Sequence, residues 1–313
     1  MCRYSLGVDT SCYTTSIAVL DNNRKLIVDR RKLLEVKKGK RGLRQSEALF
    51  QHINNLPVFF KELSDEVDIT RIRKICCTNK PRNVENSYMP VFTAGVSFAK
   101  TISSILDVEY EEYSHQEGHI EAARWSAQTL DSDNFLALHI SGGTTEIVMA
   151  RKNNNRYNID IIGGTKDISA GQLIDRSGVA MGLSFPSGKE MEKISQRGTL
   201  GKIKLPISTD DTYINFSGVE TFVKRMIQRG NENNGDISIA LFECICKSLY
   251  YIIYKACIKT EINEVLLAGG VASNKFIRDN LYRDLSSKGI NLHFGEEKFC
   301  TDNAVGTALL GIY

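Results

Sequence analysis

Two stretches of this 313-residue chain share one plan. Residues 6–20, LGVDTSCYTTSIAVL, and residues 138–150, LHISGGTTEIVMA, each run from an apolar strand through a turn of small and hydroxyl residues into a second strand. A unit of this kind occurring once in each half of a chain predicts two lobes of related design. The length agrees, because one hydrophobic core seldom keeps growing past roughly 250–300 residues. After the first unit come a third strand (KLIVDRRKLL), a helix over about 46–63, a strand (IRKICCT) and a helix (FTAGVSFAKTISSIL), which close a first lobe over 1–106. The second lobe, 107–313, opens with strands in NFLALHISGG, TTEIVMARK and RYNIDIIGG. Helices follow at about 170–182, 217–229 and 236–258, then a buried strand (INEVLLAGG) and a helix (NKFIRDNLYRDLSSKG). A terminal helix at about 302–312 is free to pack on the first lobe. No low-complexity linker separates the halves, so the sequence predicts close packing around a shared cleft, the usual place for a ligand.

Composition narrows the class. Hydrophobic residues at 42% and charged residues at 25% describe a folded globular protein and exclude a disordered one. The start, MCRYSLGVDTSC, lacks the apolar run and cleavage site of a signal peptide, and no stretch approaches ~18 continuous apolar residues. The expectation is a cytoplasmic protein without a membrane partner. Eight cysteines form no C-x-x-C pair and sit mostly in apolar runs, as reduced core residues do. A net charge of +3 is too small to announce nucleic-acid binding, yet residues 24–44 hold ten Lys or Arg against two acids. That run reads equally as a solvated hairpin and loop or as a contact for a phosphate backbone.

Three turns offer backbone N–H groups to a ligand: DTSCYTT at 9–15, SGGTT at 141–145 and AGGVASN at 268–274. One glycine turn after a strand is commonly only a turn. Three of them, at corresponding places in two similar lobes, suit a nucleotide. The segment HQEGH carries His115 and His119, which project within about 40° of one another on a helix, as two imidazoles sharing a metal must. The zinc-protease pattern H-E-x-x-H places its glutamate beside the first histidine. Here that position is Gln116, and Glu117 lies about 200° around the helix from His115, so proteolysis lacks its base. A third ligand is available in Asp302 of the turn CTDN, although Thr301, Asp302 and Asn303 are all good helix caps.

In order, GVDTSC (7–12), HQEGH (115–119), SGGTTEIV (141–148), ISAGQLIDRSGVAMGLSFPSG (168–188), FSGVET (216–221), AGGVASN (268–274) and CTDNAVGTA (300–308) resemble the TsaD-type tRNA threonylcarbamoyladenosine synthase family. This glycoprotease-like family belongs to the actin-like ATPase superfamily. The resemblance implies a two-lobed α/β actin-like (ASKHA) fold, each lobe a mixed sheet flanked by helices, with a nucleotide and metal cleft between them. It implies His115, His119 and Asp302 as ligands of one divalent ion, iron or zinc, and Asp9 and Ser11 as catalytic residues of the first turn. Ile140, Ser141, Gly142, Gly143 and Thr144 would touch the nucleotide or acyl phosphate, Asp175 and Gly188 the ribose, and Asn274 the adenine side. The ligand would be ATP or threonylcarbamoyl-AMP, and the acceptor the exocyclic amine of the adenosine beside the anticodon. Partners implied are tRNA, a small paralogous subunit and an ATPase of the synthase complex.

Several positions depart from the family pattern. Asp9 stands for a glutamate, Tyr13 and Thr14 for an acidic pair, Thr144 for a histidine, Glu146 for a glutamine and Glu220 for a lysine. TNKPRNVENSYMP replaces a glycine-proline-glycine loop, and PSGK replaces a P-G-G-P turn. These mark a divergent member or a paralogue. Beside tRNA modification they leave open a carbamoyl transfer to a non-tRNA acceptor, or a nucleotide-binding, non-catalytic scaffold for a true synthase.

Overall fold

The computed structural model describes residues 3–11, 13–36 and 43–312. Cys2, Cys12 and the basic residues Lys37, Lys38, Lys40 and Arg41 lie outside them. The chain divides into two compact units, one of residues up to 126 with 152–158 and those from 298 on, the other of 127–151 with 159–297.

The first unit contains β1 (Tyr4–Thr10), β2 (Thr14–Asp21), β3 (Leu26–Leu33), α1 (Gln45–Glu66), β4 (Ile72–Lys80), α2 (Phe92–Leu106), β5 (Glu109–Ser114) and α3 (His115–Ala127). Its sheet runs β3-β2-β1-β4-β5. Strands β1 to β3 are antiparallel because short turns join them, and β4 and β5 are parallel to β1 because helices intervene. The second unit contains β6 (Asn134–Ile140), β7 (Thr145–Asn153), β8 (Arg156–Thr165), α4 (Ala170–Ala180), α5 (Gly188–Ser195), β9 (Thr209–Asp210), β10 (Tyr213–Ile214), α6 (Ser217–Arg229), α7 (Asn234–Thr260), β11 (Glu264–Ala268), α8 (Lys275–Ser286) and β12 (Asn291–Phe294). Its sheet runs β12-β11-β6-β7-β8-β10-β9. The last helix, α9 (Val305–Leu310), returns to the first unit.

Period-two alternation decides what each face of the first sheet meets. Leu6, Val8, Ile17 and Val19 pack with Leu56, Phe59 and Leu63 of α1 and Ala94 and Ala99 of α2. The intervening Ala18 and Leu20 face the other way, toward Ala122 of α3 and Ala304, Val305, Ala308 and Leu309 around α9. Gly7 lies on that second face, where an added Cβ would stand 2.4 Å from Ala304 O and 2.7 Å from Ala308 N. The missing side chain lets α9 lie directly on β1, secured by Ser5 Oγ donating to Ala308 O (2.7 Å) and Tyr113 OH to Leu310 O (2.9 Å).

Residue 106, where the sequence placed the lobe boundary, falls inside the first unit. The acidic segment that follows, EYEEYS, forms β5 at the edge of the first sheet. Its charges are matched, Glu111 by Lys74 at 2.6 Å and Glu112 by Lys100 at 2.9 Å, and it extends the sheet beside β4. In the second unit α7 is long and apolar enough to cross a membrane by composition, yet 72% of its most apolar window is buried in this fold. Ile237, Leu241, Ile245, Leu249 and Ile252 share one core with Leu136 and Leu138 of β6. The six described cysteines are buried, and desolvation pushes the Cys76, Cys77, Cys246 and Cys257 thiols up to about 12.

Candidate functional site: a histidine–aspartate cluster and a glycine-turn group

The first unit gathers His115, His119 and Asp302. Ser114 and Glu117 start α3 as a reciprocal cap: Glu117 Oε2 accepts from Ser114 N (2.8 Å) and Ser114 Oγ (2.7 Å), while Glu117 N donates to Ser114 Oγ at 3.2 Å. Glu117 also accepts from Tyr157 N at 3.3 Å and is 1% exposed, so it anchors the helix and stays away from the histidines. One turn apart on that helix, the two Nε2 atoms face each other at 2.9 Å. Asp302 Oδ1 stands 3.5 Å from His115 Nε2 and 3.3 Å from His119 Nε2.

Of the three possible caps before α9, the structure uses Asn303. Its Oδ1 accepts from Val305 N (2.9 Å) and Gly306 N (3.4 Å), which leaves the Asp302 carboxylate to the histidines. Two glycines bring the segments this close. A Cβ on Gly306 would lie 1.8 Å from Gly118 O, and one on Gly118 would lie 2.9 Å from Thr307 Oγ1. Arg31 of β3 holds the loop before Asp302 by donating to Lys298 O and, at 3.2 Å, to Thr301 Oγ1.

Asp9 and Ser11 meet the cluster from the first turn. Asp9 is fully buried, accepts from Thr78 Oγ1, and places Oδ2 2.9 Å from His115 Nδ1. Ser11 Oγ donates to Asp302 Oδ2 at 3.0 Å. Burial works against charge on the His115 ring, but the Asp9 carboxylate, with Asp302, holds its pKa well above the ordinary value. Asp302 is partly buried, and hydrogen bonds from His115 and His119 keep its carboxyl well below the usual range despite that.

This donor set fits a metal ion. Its three ligand atoms lie within 4.8 Å of one another. Ligands about 2.0–2.2 Å from a common zinc-like ion are roughly 3.3 Å apart when tetrahedral, close to the separations here. Two imidazoles and one carboxylate suit zinc or iron, and a carboxylate on the far nitrogen of a ligand histidine is the usual orienting partner.

The second unit holds the remaining predicted residues. Ile140 ends β6, and Ser141, Gly142, Gly143 and Thr144 turn tightly, with Ser141 N donating to Thr144 O (2.8 Å) and Thr144 N to Ser141 Oγ (3.1 Å). Around Gly142 and Gly143 the space for a Cβ is open to 4 Å. The turn rests on the start of α4, where a Cβ on Gly171 would meet Ser141 O at 2.4 Å, and Ser169 Oγ donates to Gly142 O at 2.9 Å. The AGGVASN turn reaches the same strand end: Gly269, at φ +99°, would place a Cβ 2.2 Å from Ile140 O. Asp175 accepts from Ser187 N at 2.8 Å beside Gly188, the first residue of α5, and partial burial raises its pKa. Asn274 caps α8 through Ile277 N at 3.0 Å. Among the variant positions, Glu220 pairs with Arg176 at 3.3 Å and with Lys224, while Tyr13 is exposed and Thr14 buried.

The sequence reading missed His52, Thr78 and the Gly118–Gly306 crossing, and it named Asn303 only as one of three possible caps. One signal for His52 was available. Together with Asn55 it interrupts the apolar face of a helix that must pack beside the hydroxyl-rich first turn.

Solved structures share the fold. Full-length HypF, in its phosphate- and nucleotide-bound form, superposes with a TM-score of 0.62 at 13% identity over 98% of this chain and 55% of that one. A ROK family glucokinase from Streptomyces griseus, in complex with glucose and AMPPNP, gives 0.55 at 10% identity over 98% of both chains. The molecule is an α/β protein that shares the fold of these structures, and its first unit bears a His-His-Asp cluster that suits a metal. Within that class the TsaD family, tRNA N6-adenosine threonylcarbamoyltransferase, matches residues 31–309. Two curated proteins of that name are similar along nearly the whole length. The one from Thermosipho melanesiensis is 31% identical over 98% of this chain and 93% of its own, and the one from a Sulfurihydrogenibium species 32% over 98% and 89%. The chain belongs to the TsaD family.

Proposed function

We propose that this protein transfers the threonylcarbamoyl group of threonylcarbamoyl-AMP to N6 of the adenosine beside the anticodon of tRNA. The observation that carries the reading is the convergence of His115 Nε2, His119 Nε2 and Asp302 Oδ1, with Asp9 behind His115, in a member of this family. His115, His119 and Asp302 would hold one iron or zinc ion, whose chemistry is that of a Lewis acid that polarises and orients a carbonyl. In the transfer the N6–carbonyl bond forms, the bond from that carbon to the phosphate oxygen breaks, AMP leaves with the electron pair and the amine gives up one proton. No protein nucleophile is needed.

The roles of the first turn follow. Asp9 faces His115 Nδ1 and Thr78, and Ser11 donates a hydrogen bond to Asp302. Both are positioning residues in this reading: Asp9 sets the ring orientation of His115 and Ser11 the orientation of Asp302. Open space at Gly142 and Gly143 supports residues 140–144 as the phosphate turn, with Asp175 and Gly188 toward the ribose and Asn274 toward the base of ATP or the acyl adenylate. A protein working on tRNA belongs in the cytoplasm, with a small paralogous subunit and an ATPase as partners.

The test is reconstitution with threonylcarbamoyl-AMP, the family's partner proteins and unmodified tRNA, read by nucleoside mass spectrometry. Threonylcarbamoyladenosine should form and should disappear with His115→Ala. Unchanged tRNA in the complete mixture would reject the reading.

A further inference from the structure

Helix α1 buries Ala48, Leu56, Phe59 and Leu63, and on the same face His52 at 0% and Asn55 at 7% exposure. Polar groups buried in such a face are costly unless every one is hydrogen-bonded. Both are, in a chain with one possible direction. Asn55 Nδ2 donates to Thr15 Oγ1 at 3.0 Å, Thr15 Oγ1 lies 2.8 Å from His52 Nδ1, and His52 Nε2 lies 2.8 Å from the Ser11 carbonyl oxygen. The carbonyl can only accept, so His52 Nε2 carries a proton. In the neutral ring Nδ1 then accepts, and Thr15 supplies the hydrogen while its oxygen takes one from Asn55. Burial, which lowers the pKa of His52, agrees with a neutral ring.

The chain ends on Ser11, whose hydroxyl donates to Asp302 Oδ2 at 3.0 Å. That bond occupies Oδ2 and turns Oδ1 toward the two histidine nitrogens. We propose that His52 is a positioning residue of this centre: by gripping the Ser11 carbonyl it fixes the turn from which Ser11 presents one oxygen of Asp302 to the metal. The inference rests on reading His115, His119 and Asp302 as metal ligands. It assigns a part in that site to a buried helix residue that touches none of them.

The test uses Co²⁺ as the probe, with affinity from chelator competition and geometry from the visible absorption bands. His52→Ala should weaken Co²⁺ binding by about 10–100-fold, the usual loss for an outer partner of a ligand, and alter the bands. His52→Gln, whose amide N–H can reach the Ser11 carbonyl, should recover most of the affinity. Leu56→Ala, a cavity on the same helix face without a polar link, should lower the melting temperature and leave Co²⁺ affinity within about twofold of the parent. Should His52→Ala not fold, Thr15→Val removes the hydrogen given to Nδ1 and carries the same expectation. Wild-type affinity and bands in folded His52→Ala, or equal losses in Leu56→Ala, would overturn the proposal. His115→Ala separates the two levels: if it too binds Co²⁺ as the parent does, the metal reading itself falls and the proposal with it.

Discussion

At the scale of single residues the site depends on how neighbouring polar groups share work. Asn303 takes the cap of α9, so Asp302 is spared for the cluster, and Asp9 stands behind His115. Sequence could name the three side chains that cluster here but not this division, because three consecutive good caps look alike until one of them bonds Val305 N. Two outcomes follow. Asp9→Asn, which removes the charge behind His115, should weaken metal affinity by about 10–100-fold without unfolding the protein, as chelator competition would show. The second concerns pH. The ion-free protein holds a proton on His115 well above the ordinary histidine range. A group raised in this way contributes stability that is complete below the unfolded value near 6.5 and lost as pH rises through the folded value. A metal must displace that proton. Apparent metal affinity should therefore keep rising with pH beyond neutrality, and a plateau already reached below pH 6.5 would contradict this origin.

At the scale of elements, the ends of helices and their crossings set geometry. The sequence made the strands, α1, α2, α6 and α7 legible because each has a clear apolar period. It did not reveal β5, whose acids are neutralised by Lys74, Lys100 and Arg156 from other elements, or β12, which is four residues long. The crossing of α3 over α9 was equally hidden, since Gly118 and Gly306 show their purpose only once the backbones meet. Gly306→Ala puts a methyl against Gly118 O, an atom that no rotamer change can move. The expected result is a loss at or above the ~3 kcal/mol upper range for overpacking, seen as a lower melting temperature together with weaker metal binding. A second helix end titrates. Asp167 accepts from Ile168 N (2.7 Å), Phe216 N (2.8 Å) and Ser217 N (3.0 Å) at the start of α6. These bonds outweigh partial burial and hold its pKa down to about 2. A depressed carboxyl stabilises above its unfolded value near 3.8 and loses that contribution as pH falls through about 2. Because Asp167 is exposed, screening reduces the effect to about 1 kcal/mol. Asp167→Asn should cost that amount at pH 7 in denaturant melts, and the difference from the parent should shrink below about pH 4 and be lost as pH falls through about 2.

At the scale of the whole molecule, a strand-turn-strand unit stands in the sheet of each of the two compact units, β1–β2 in one and β6–β7 in the other. The sequence left the terminal helix free to pack on the first lobe, and residues from 298 on do join the first unit, through a long-range fit written in Gly7 and Ala308 rather than in any local pattern. Charge shows the same limit. Of the ten basic residues in 24–44, Arg24 pairs with Glu121, Arg30 with Glu62 and Glu66, and Arg31 with Asp29 while bracing the loop before Asp302. Those three serve the fold of the first unit and are poor candidates for releasing counterions from RNA. Seven of the ten remain, Lys25, Lys32, Lys37, Lys38, Lys40, Arg41 and Arg44, and if tRNA is the acceptor the run Lys37, Lys38, Lys40 and Arg41 is the densest part of that remainder to meet its phosphates. Neutralising those four should weaken tRNA binding and flatten the dependence of log affinity on log salt by roughly 0.7–0.9 for each phosphate that is no longer neutralised. Arg30→Gln should leave that slope unchanged and lower stability only slightly, as partly exposed ion pairs do. An unaltered slope after the fourfold change would move the tRNA surface away from residues 24–44, leaving the histidine–aspartate cluster and its chemistry untouched.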